Sequence, residues 1–444
     1  MPSTPSPSRP EYNPGELVDY TAQSGDTLPA LAARFNTTVL EIRNANPGIP
    51  NDATTMPPGM PMKIPIYYRP FWGSTFQILP DSQFVNGPDA SGFNTEDFVS
   101  SHPGWLKDFS DYIADGRHTG AEFVDLVATN YSISPRVLLT ILEYQTGALS
   151  QPVSPSGSFP LGEADYMHSG LYLQLIWAAD ELNNGYYGWR TGTLTEIEHL
   201  DGRIERPDPW QTAASVAIQY YFSLHHSETD YNLAVGPDGW AHTYQSLFGD
   251  PWEADQPHIP VSLQQPGIEF PFPAGDTWSF TSGPHTGWGS LLPLAALDFA
   301  PPDIHGCETT TEIATAVAEG VVVRSEPGVV MLDLDGDGNE HTGWDVLYLH
   351  LATNGRAQVG QRLKTGDPVG YPSCEGGTAT GTHIHIARKY NGEWIPVDSP
   401  MAFNLEGWIA HVGSITRQGT LTRGNQEIIA CDCSDATSHV TAGR

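Results

Sequence analysis

The sequence predicts a multidomain α+β chain: a small βααβ unit, a mainly helical middle domain, and a mostly antiparallel all-β domain. Three observations carry this. Apolar residues recur at helical spacing over stretches such as 121–128, 135–144 and 171–179. Beyond residue 269 they fall into short runs rich in Val, Ile and Leu, such as Gly320-Val321-Val322-Val323 and Val329-Val330-Met331-Leu332, separated by Gly, Pro and Asp. Between these textures lie Pro- and Gly-rich stretches that punctuate the chain, because proline lacks an amide donor and glycine admits left-handed backbone. With 444 residues, 39% of them hydrophobic, there is enough apolar material for several cores.

Residues 1–16 read as a flexible Pro/Ser leader with no apolar signal segment; if the chain is secreted, its export signal lies outside this sequence. Residues 17–66 read as strand, turn, two helices and strand. Thr27 stands before Leu28, Leu31, Ala32 and Phe35, a cap followed by an apolar helical face, and Thr38 opens a second helix. The segments Tyr20-Thr21-Ala22-Gln23-Ser24-Gly25-Asp26-Thr27-Leu28 and Asn44-Ala45-Asn46-Pro47 resemble a LysM domain. LysM domains bind N-acetylglucosamine-containing glycans such as peptidoglycan and chitin in a groove between two loops. The resemblance places Gly25, Asp26, Thr27, Asn46, Pro47, Gly48 and Ile49 at that groove.

Residues 67–100 read as a linker and 101–250 as mainly helical. Ser134 is a suitable cap and Pro135 suits a first helical turn. The stretch Ile133-Ser134-Pro135-Arg136-Val137-Leu138-Leu139-Thr140-Ile141-Leu142-Glu143-Tyr144-Gln145-Thr146-Gly147 resembles the catalytic-glutamate helix of lysozyme-like lytic transglycosylases. The resemblance implies that Glu143 is a general acid, since a carboxyl ending an apolar helix is partly desolvated and its pKa rises. In that family a small hydroxyl residue follows the glutamate; here Tyr144 follows and the hydroxyl comes at Thr146. Gly185-Tyr186-Tyr187-Gly188-Trp189-Arg190 is a candidate lining for a glycan groove.

A second linker spans 251–268, the β domain 269–430, and a short tail 431–444. His383-Ile384-His385 is the sharpest signal in the β domain, because strand residues two apart share a face. His350 lies in another apolar strand, Asp298 in the apolar run Ala295-Ala296-Leu297-Asp298-Phe299-Ala300, and His285 after a Gly-Pro turn. Two imidazoles and a carboxylate suit zinc with one open position, as hydrolysis requires. The pieces Gly283-Pro284-His285, Leu297-Asp298, Leu349-His350 and Gly381-Thr382-His383-Ile384-His385 resemble the LytM/lysostaphin-type zinc endopeptidases. The resemblance implies that His285, Asp298 and His385 bind zinc while His350 and His383 assist catalysis. The family usually has three residues between the first His and the Asp; here twelve intervene, so His305 is the fallback first ligand.

Two further features concern cations and cysteines. Asp333-Leu334-Asp335-Gly336-Asp337-Gly338-Asn339-Glu340 resembles the first half of an EF-hand loop, which makes Asp333, Asp335, Asp337 and Asn339 candidate calcium ligands. The closing glutamate is absent: Trp344 holds the twelfth position and Asp345 the next. The four cysteines suit disulfides rather than a zinc site, because Cys431-x-Cys433 is shorter than zinc-ribbon spacing. Cys307 and Cys374, both in loops of the β domain, are the expected pair.

The acidic balance, 52 Asp+Glu against 20 Lys+Arg, argues against nucleic acid as a partner. No apolar run is long enough for membrane insertion. The expected function is a secreted zinc endopeptidase that cuts the peptides of peptidoglycan, targeted by the LysM unit. The alternatives are an inactive wall-binding protein, or a bifunctional enzyme that also cuts glycan through Glu143.

Overall fold

Two threonines start the first two helices. In the computed structural model of the chain, which describes residues 9–113, 116–433 and 435–443, Thr27 caps α1 (Leu28–Arg34) by accepting from the amide of Ala30, and Thr38 forms a reciprocal capping box with Glu41 at α2 (Val39–Ala45). Strands β1 (Glu16–Thr21) and β2 (Pro61–Ile66) flank them and pair antiparallel from Glu16↔Ile66 to Thr21↔Pro61. Val18, Tyr20, Leu31, Phe35, Ile42 and Ile64 fill the space between. This is the expected βααβ arrangement. The first eight residues of the expected leader lie outside the described residues.

The helical part follows: α3 (Asp81–Phe84), α4 (Thr95–Ser100), the β3–β4 pair (Ser110–Ile113 and Gly116–Thr119), α5 (Gly120–Tyr131), α6 (Pro135–Thr146) and α7 (Leu171–Thr191). Then come the short β5–β6 pair (Ile197–Glu198 and Ile204–Glu205), α8 (Ala213–Ser223), α9 (Glu228–Ala234) and α10 (Trp240–Phe248). The α7 and α8 backbones approach closely: a Cβ on Gly185 would stand 2.7 Å from the Ala217 Cα. The expectation that residues 185–190 line a groove is overturned. Tyr186, Tyr187 and Trp189 are at most 1% exposed and form core, because three aromatics on a long apolar helix bury more area by packing than by facing solvent. Residues 67–100, expected as a linker, bury Ile78, Leu79, Phe84 and Val85, and the amides of Ile78 and Leu79 donate to Ser215 Oγ.

The chain divides between Ser262 and Leu263, inside the expected 251–268 linker. The C-terminal unit runs β7 (Thr277–Thr286), β8 (Leu294–Ala300), β9 (Ala314–Thr315), β10 (Gly320–Glu326), β11 (Gly328–Asp333), β12 (Trp344–Leu351), β13 (Arg362–Leu363), β14 (Pro368–Gly370) and β15 (Ile384–Tyr390). It ends with β16 (Glu393–Trp394), β17 (Asn404–Leu405), β18 (Trp408–Val412), β19 (Gly419–Arg423), β20 (Gln426–Ile429) and β21 (His439–Thr441). The main sheet has the order β13-β10-β11-β12-β15-β8-β7-β21, with β16 added on β15, and a smaller sheet has the order β17-β18-β19-β20. These ladders are antiparallel, as alternating inward Val, Ile, Leu and Phe residues predict. The expected tail contributes an edge strand: His439 pairs with Ser279 of β7. Cys307–Cys374 is bonded as expected, and Cys431 is bonded to Cys433.

Candidate metal centre

The centre of the main sheet brings the polar residues together. In register, Asp298 of β8 lies between His385 of β15 and Ser282 of β7. The register of β7 slips between Ser282 and His285, at Gly283-Pro284, and that irregularity turns the His285 ring toward Asp298. His350 occupies a bulge near the end of β12, where Val329 pairs with Leu349 and Gly328 with Leu351. Its φ of +67° is unusual for a residue with a Cβ. Such backbone costs on the order of 1–3 kcal/mol and persists where surrounding bonds hold it. Here the Ser373 amide and Oγ both donate to the His350 carbonyl.

Each histidine has one ring nitrogen tied to a backbone carbonyl. His285 Nδ1 donates to the Gly283 carbonyl at 2.9 Å, His385 Nε2 to Gly287 at 3.1 Å, His350 Nδ1 to Glu375 at 2.9 Å, and His383 Nδ1 to Gly381 at 2.7 Å. Those bonds assign the tautomers and leave the opposite nitrogen of each ring as a bare lone pair. The bare nitrogens then converge. His285 Nε2 lies 3.0 Å from His385 Nδ1 and 3.2 Å from Asp298 Oδ1, and His385 Nδ1 lies 3.3 Å from the same oxygen.

Three acceptors thus meet in a site where Asp298, His285 and His385 are at most 5% exposed. No proton donor lies between them, so neutral protein groups alone leave their lone pairs in repulsion, and a cation resolves it. Tetrahedral zinc with bonds of ~2.0–2.1 Å spaces its ligand atoms by about 3.3 Å, so the spacing fits zinc. His305 is exposed and outside this group. Of the two candidates for a first ligand, His285 is the one that joins the trio, and the extra residues before Asp298 form the β7–β8 loop, closed by the Gly287 amide donating to Pro293.

The two other histidines flank the trio. His383 Nε2 is 3.7 Å from Asp298 Oδ2, and the His350 and His383 rings stand 4.5 Å apart. Burial, together with the neighbouring His383 and His385 rings, lowers His350 to about 3, so it is a neutral base at neutral pH. Burial lowers His385 as well.

Sequence reasoning missed Arg417. A Cβ on Gly283 would lie 2.6 Å from the Gln418 carbonyl carbon, and this close approach lets the β18–β19 loop join β7: the Gly283 amide donates to the Arg417 carbonyl and the Arg417 amide to Pro284. Arg417 Nη1 then stands 3.8 Å from Asp298 Oδ2 with its side chain 63% exposed. Nothing local in the sequence signals this; the contact exists only once two distant strands pair.

The other expected site residues sit elsewhere. Glu143, half-buried at the end of α6, accepts from the amides of Leu149 and Ser150 at 2.7 and 3.2 Å. In the LysM unit Asp26 is 1% exposed, accepting from Tyr20 Oη, the Gln23 amide and Arg34 Nη1 at 2.6, 2.7 and 2.9 Å. Gly25 is buried under Arg190, whose Nη1 donates to the Ser24 carbonyl at 2.6 Å. The expectation that Gly25 and Asp26 line an open groove is corrected on this point: tertiary packing covers their loop. Thr27 is used as a helix cap. Pro47 and Gly48 are exposed, Ile49 is buried beneath them, and Asn46 joins α2 to β2 through the Lys63 amide and carbonyl. Carboxylate oxygens of Asp333, Asp335 and Asp337 gather within 4.8 Å of one another in the β11–β12 loop, and Asn339 Oδ1 accepts from the His341 amide.

Comparisons with known proteins agree with this organisation. Residues 20–65 match the LysM domain family, and residues 77–262 match the family described as LasA, N-terminal domain. The chain is 27% identical to protease LasA of Pseudomonas aeruginosa over 338 residues, which is 71% of this chain and 74% of the relative. It is 29% identical to beta-lytic metalloendopeptidase of Achromobacter lyticus over 134 residues, 29% of this chain and 34% of the relative. Among solved structures, the M23 metalloprotease pseudoalterin matches 37% of this chain and 96% of its own, at 21% identity and a TM-score of 0.32. The catalytic domain of lysostaphin from Staphylococcus simulans matches 27% of this chain and 86% of its own, at 20% identity and a TM-score of 0.19. The chain thus carries an N-terminal LysM domain followed by a segment that matches the family described as LasA, N-terminal domain, and over 71% of its length it is similar to protease LasA.

Proposed function

We propose that this protein is a secreted, zinc-dependent endopeptidase that hydrolyses peptide bonds of bacterial peptidoglycan, held to the wall by its LysM unit. The observation that carries this reading is the meeting of His285 Nε2, His385 Nδ1 and Asp298 Oδ1, three acceptors within 3.3 Å in a buried site. Zinc held by these residues supplies a Lewis acid that polarises a carbonyl and acidifies water. His350, neutral and with Nε2 bare, takes the proton of the attacking water. That same proton is then returned to the leaving amine, by His350 itself or passed through His383, whose ring stands 4.5 Å away. The LysM unit raises the concentration of the catalyst near its substrate, and its exposed Pro47–Gly48 side is the face left for glycan.

Among the described residues no helix is long and apolar enough to cross a membrane. The relatives named protease LasA and beta-lytic metalloendopeptidase support proteolysis. An inactive wall-binding protein is disfavoured because all five polar positions are filled and converge. The finer reading of the helical part as lysozyme-like, with Glu143 as acid, is supported by the place of Glu143 at the end of an apolar helix. Its engagement by two backbone amides supports a turn-holding role instead. Mass spectrometry of purified peptidoglycan after incubation separates these readings. New amino termini that vanish with a chelator and return with zinc are expected. Glycan fragments that persist in His385→Ala would move the activity to Glu143, and intact wall in every condition would sink the enzymatic reading.

A further inference from the structure

The opposite end of β12 from His350 carries a second group of acids. Asp333 closes β11 and pairs in register with Asp345 of β12, so the two side chains share a face with Cβ atoms ~4.5–5.5 Å apart. Both residues are fully buried. Asp333 is well supplied: Oδ1 accepts from the amides of Asp335 and Gly336, and Oδ2 from Gly338, which curls the loop around it. Asp345 is not: neither of its carboxylate oxygens accepts a hydrogen bond. A buried carboxylate without donors, set beside another carboxylate, is costly unless a cation stands by.

The loop brings more oxygen. Asp335 and Asp337 place theirs within 4.8 Å of Asp333 and of each other. Asp335 folds over Gly343, where a Cβ would lie 1.9 Å from Asp335 Oδ2, so the returning strand closes on this carboxylate only because residue 343 is glycine at a φ of +67°. The local charges do not balance. Arg324 and Lys389 face Glu340, at 3.2 and 4.0 Å. Counting Asp333, Asp335, Asp337, Asp345 and Glu340 against Arg324 and Lys389, five acids less two bases leave three negative charges.

We propose that this loop binds a divalent cation of the calcium class, with Asp333, Asp335 and Asp337 as loop ligands and Asp345 closing the site from the neighbouring strand. The donors are all hard oxygens without imidazole or thiolate, which favours calcium over zinc, and clustered carboxylates on a loop suit its larger coordination sphere better than magnesium's strict octahedron. The site is independent of the zinc centre and of the proposed reaction. Its effect is structural: it fixes the β11–β12 hairpin, whose other end carries His350.

The test is equilibrium dialysis of the full, zinc-loaded chain against calcium, paired with thermal melts. One calcium per chain is expected, with a melting temperature that rises with calcium and falls with a calcium chelator that spares zinc. Asp345→Asn is expected to weaken binding at least tenfold, and Asp335→Asn to remove it together with the thermal shift. Asp337→Asn, altered at an exposed side chain, gives the same reading if a buried variant fails to fold. Absence of calcium binding at millimolar concentration would overturn the site. Unchanged affinity in folded Asp345→Asn would overturn its closing role, and equal binding of magnesium would overturn the cation assignment.

Discussion

Asp26 and Asp298 are both buried carboxylates, at 1% and 3% exposure, and their surroundings are opposite. Asp26 is ringed by donors: a phenol, an amide and a guanidinium. Asp298 is ringed by lone pairs, since the carbonyls of Gly283 and Gly287 take the N–H of His285 and His385 and turn their bare nitrogens inward. The first arrangement is complete as it stands and holds a loop. The second is complete only with a cation. Burial of a charge is therefore not itself a functional sign; the polarity of what surrounds it is.

The sharpest way to break the comparison is to exchange the two roles by mutation. His385→Ala or Asp298→Asn is expected to abolish zinc retention and reduce peptide hydrolysis to the uncatalysed background while the C-terminal unit stays folded, read by circular dichroism and metal analysis. Next in size, His350→Ala is expected to lower kcat by about 10²–10⁴-fold with zinc retained, the range for loss of a general base. An equal loss of zinc would place His350 among the ligands instead. Asp26→Ala leaves Arg34 buried without its partner and is expected to destabilise the N-terminal unit by about 3–5 kcal/mol. It should leave cleavage of a soluble peptide intact; denaturant melts and peptide assays check both halves.

A smaller effect comes from His225 in the helical part. Burial, with the nearby His226, lowers it to about 3, below the unfolded value of about 6.5. The folded state thus resists a proton that the unfolded chain accepts. The stability this contributes is complete above pH ~6.5 and declines as pH falls toward about 3. Melts of the wild type and His225→Phe across that window should show the wild type losing stability relative to the variant as pH falls if the sign is right. Least of all, Arg417→Ala removes an exposed partner of Asp298 and is expected to change stability by under ~1 kcal/mol, so any larger effect on KM would mark contact with substrate.

Much of this was legible in the sequence where spacing carries geometry. His383-x-His385 had to share a side of the sheet, and Thr27 and Thr38 had to begin helices. Asp298 in an apolar run had to find a partner. Other features depend on strands meeting at a distance. Asp345 gains its meaning only opposite Asp333, and Arg417 only where its loop joins β7. The carbonyls that set the histidine tautomers, at Gly283, Gly287, Glu375 and Gly381, have no side-chain signature at all. The aromatic run at 186–189 was misread because a buried helix face and a sugar-stacking face share the same residues, and only packing against α8 separates them. Burial of Gly25 was hidden for the same reason, since Arg190 reaches it from far along the chain.

The central claim is that His285, Asp298 and His385 form a cluster that is satisfied by one metal ion. The most direct measurement is zinc content per chain by mass spectrometry of the metal after exhaustive dialysis, for wild type, Asp298→Asn and Asp26→Asn. One zinc in wild type and in Asp26→Asn, with none in Asp298→Asn, is the predicted result. A wild type that holds no zinc, or an Asp298→Asn variant that keeps its zinc, would contradict it.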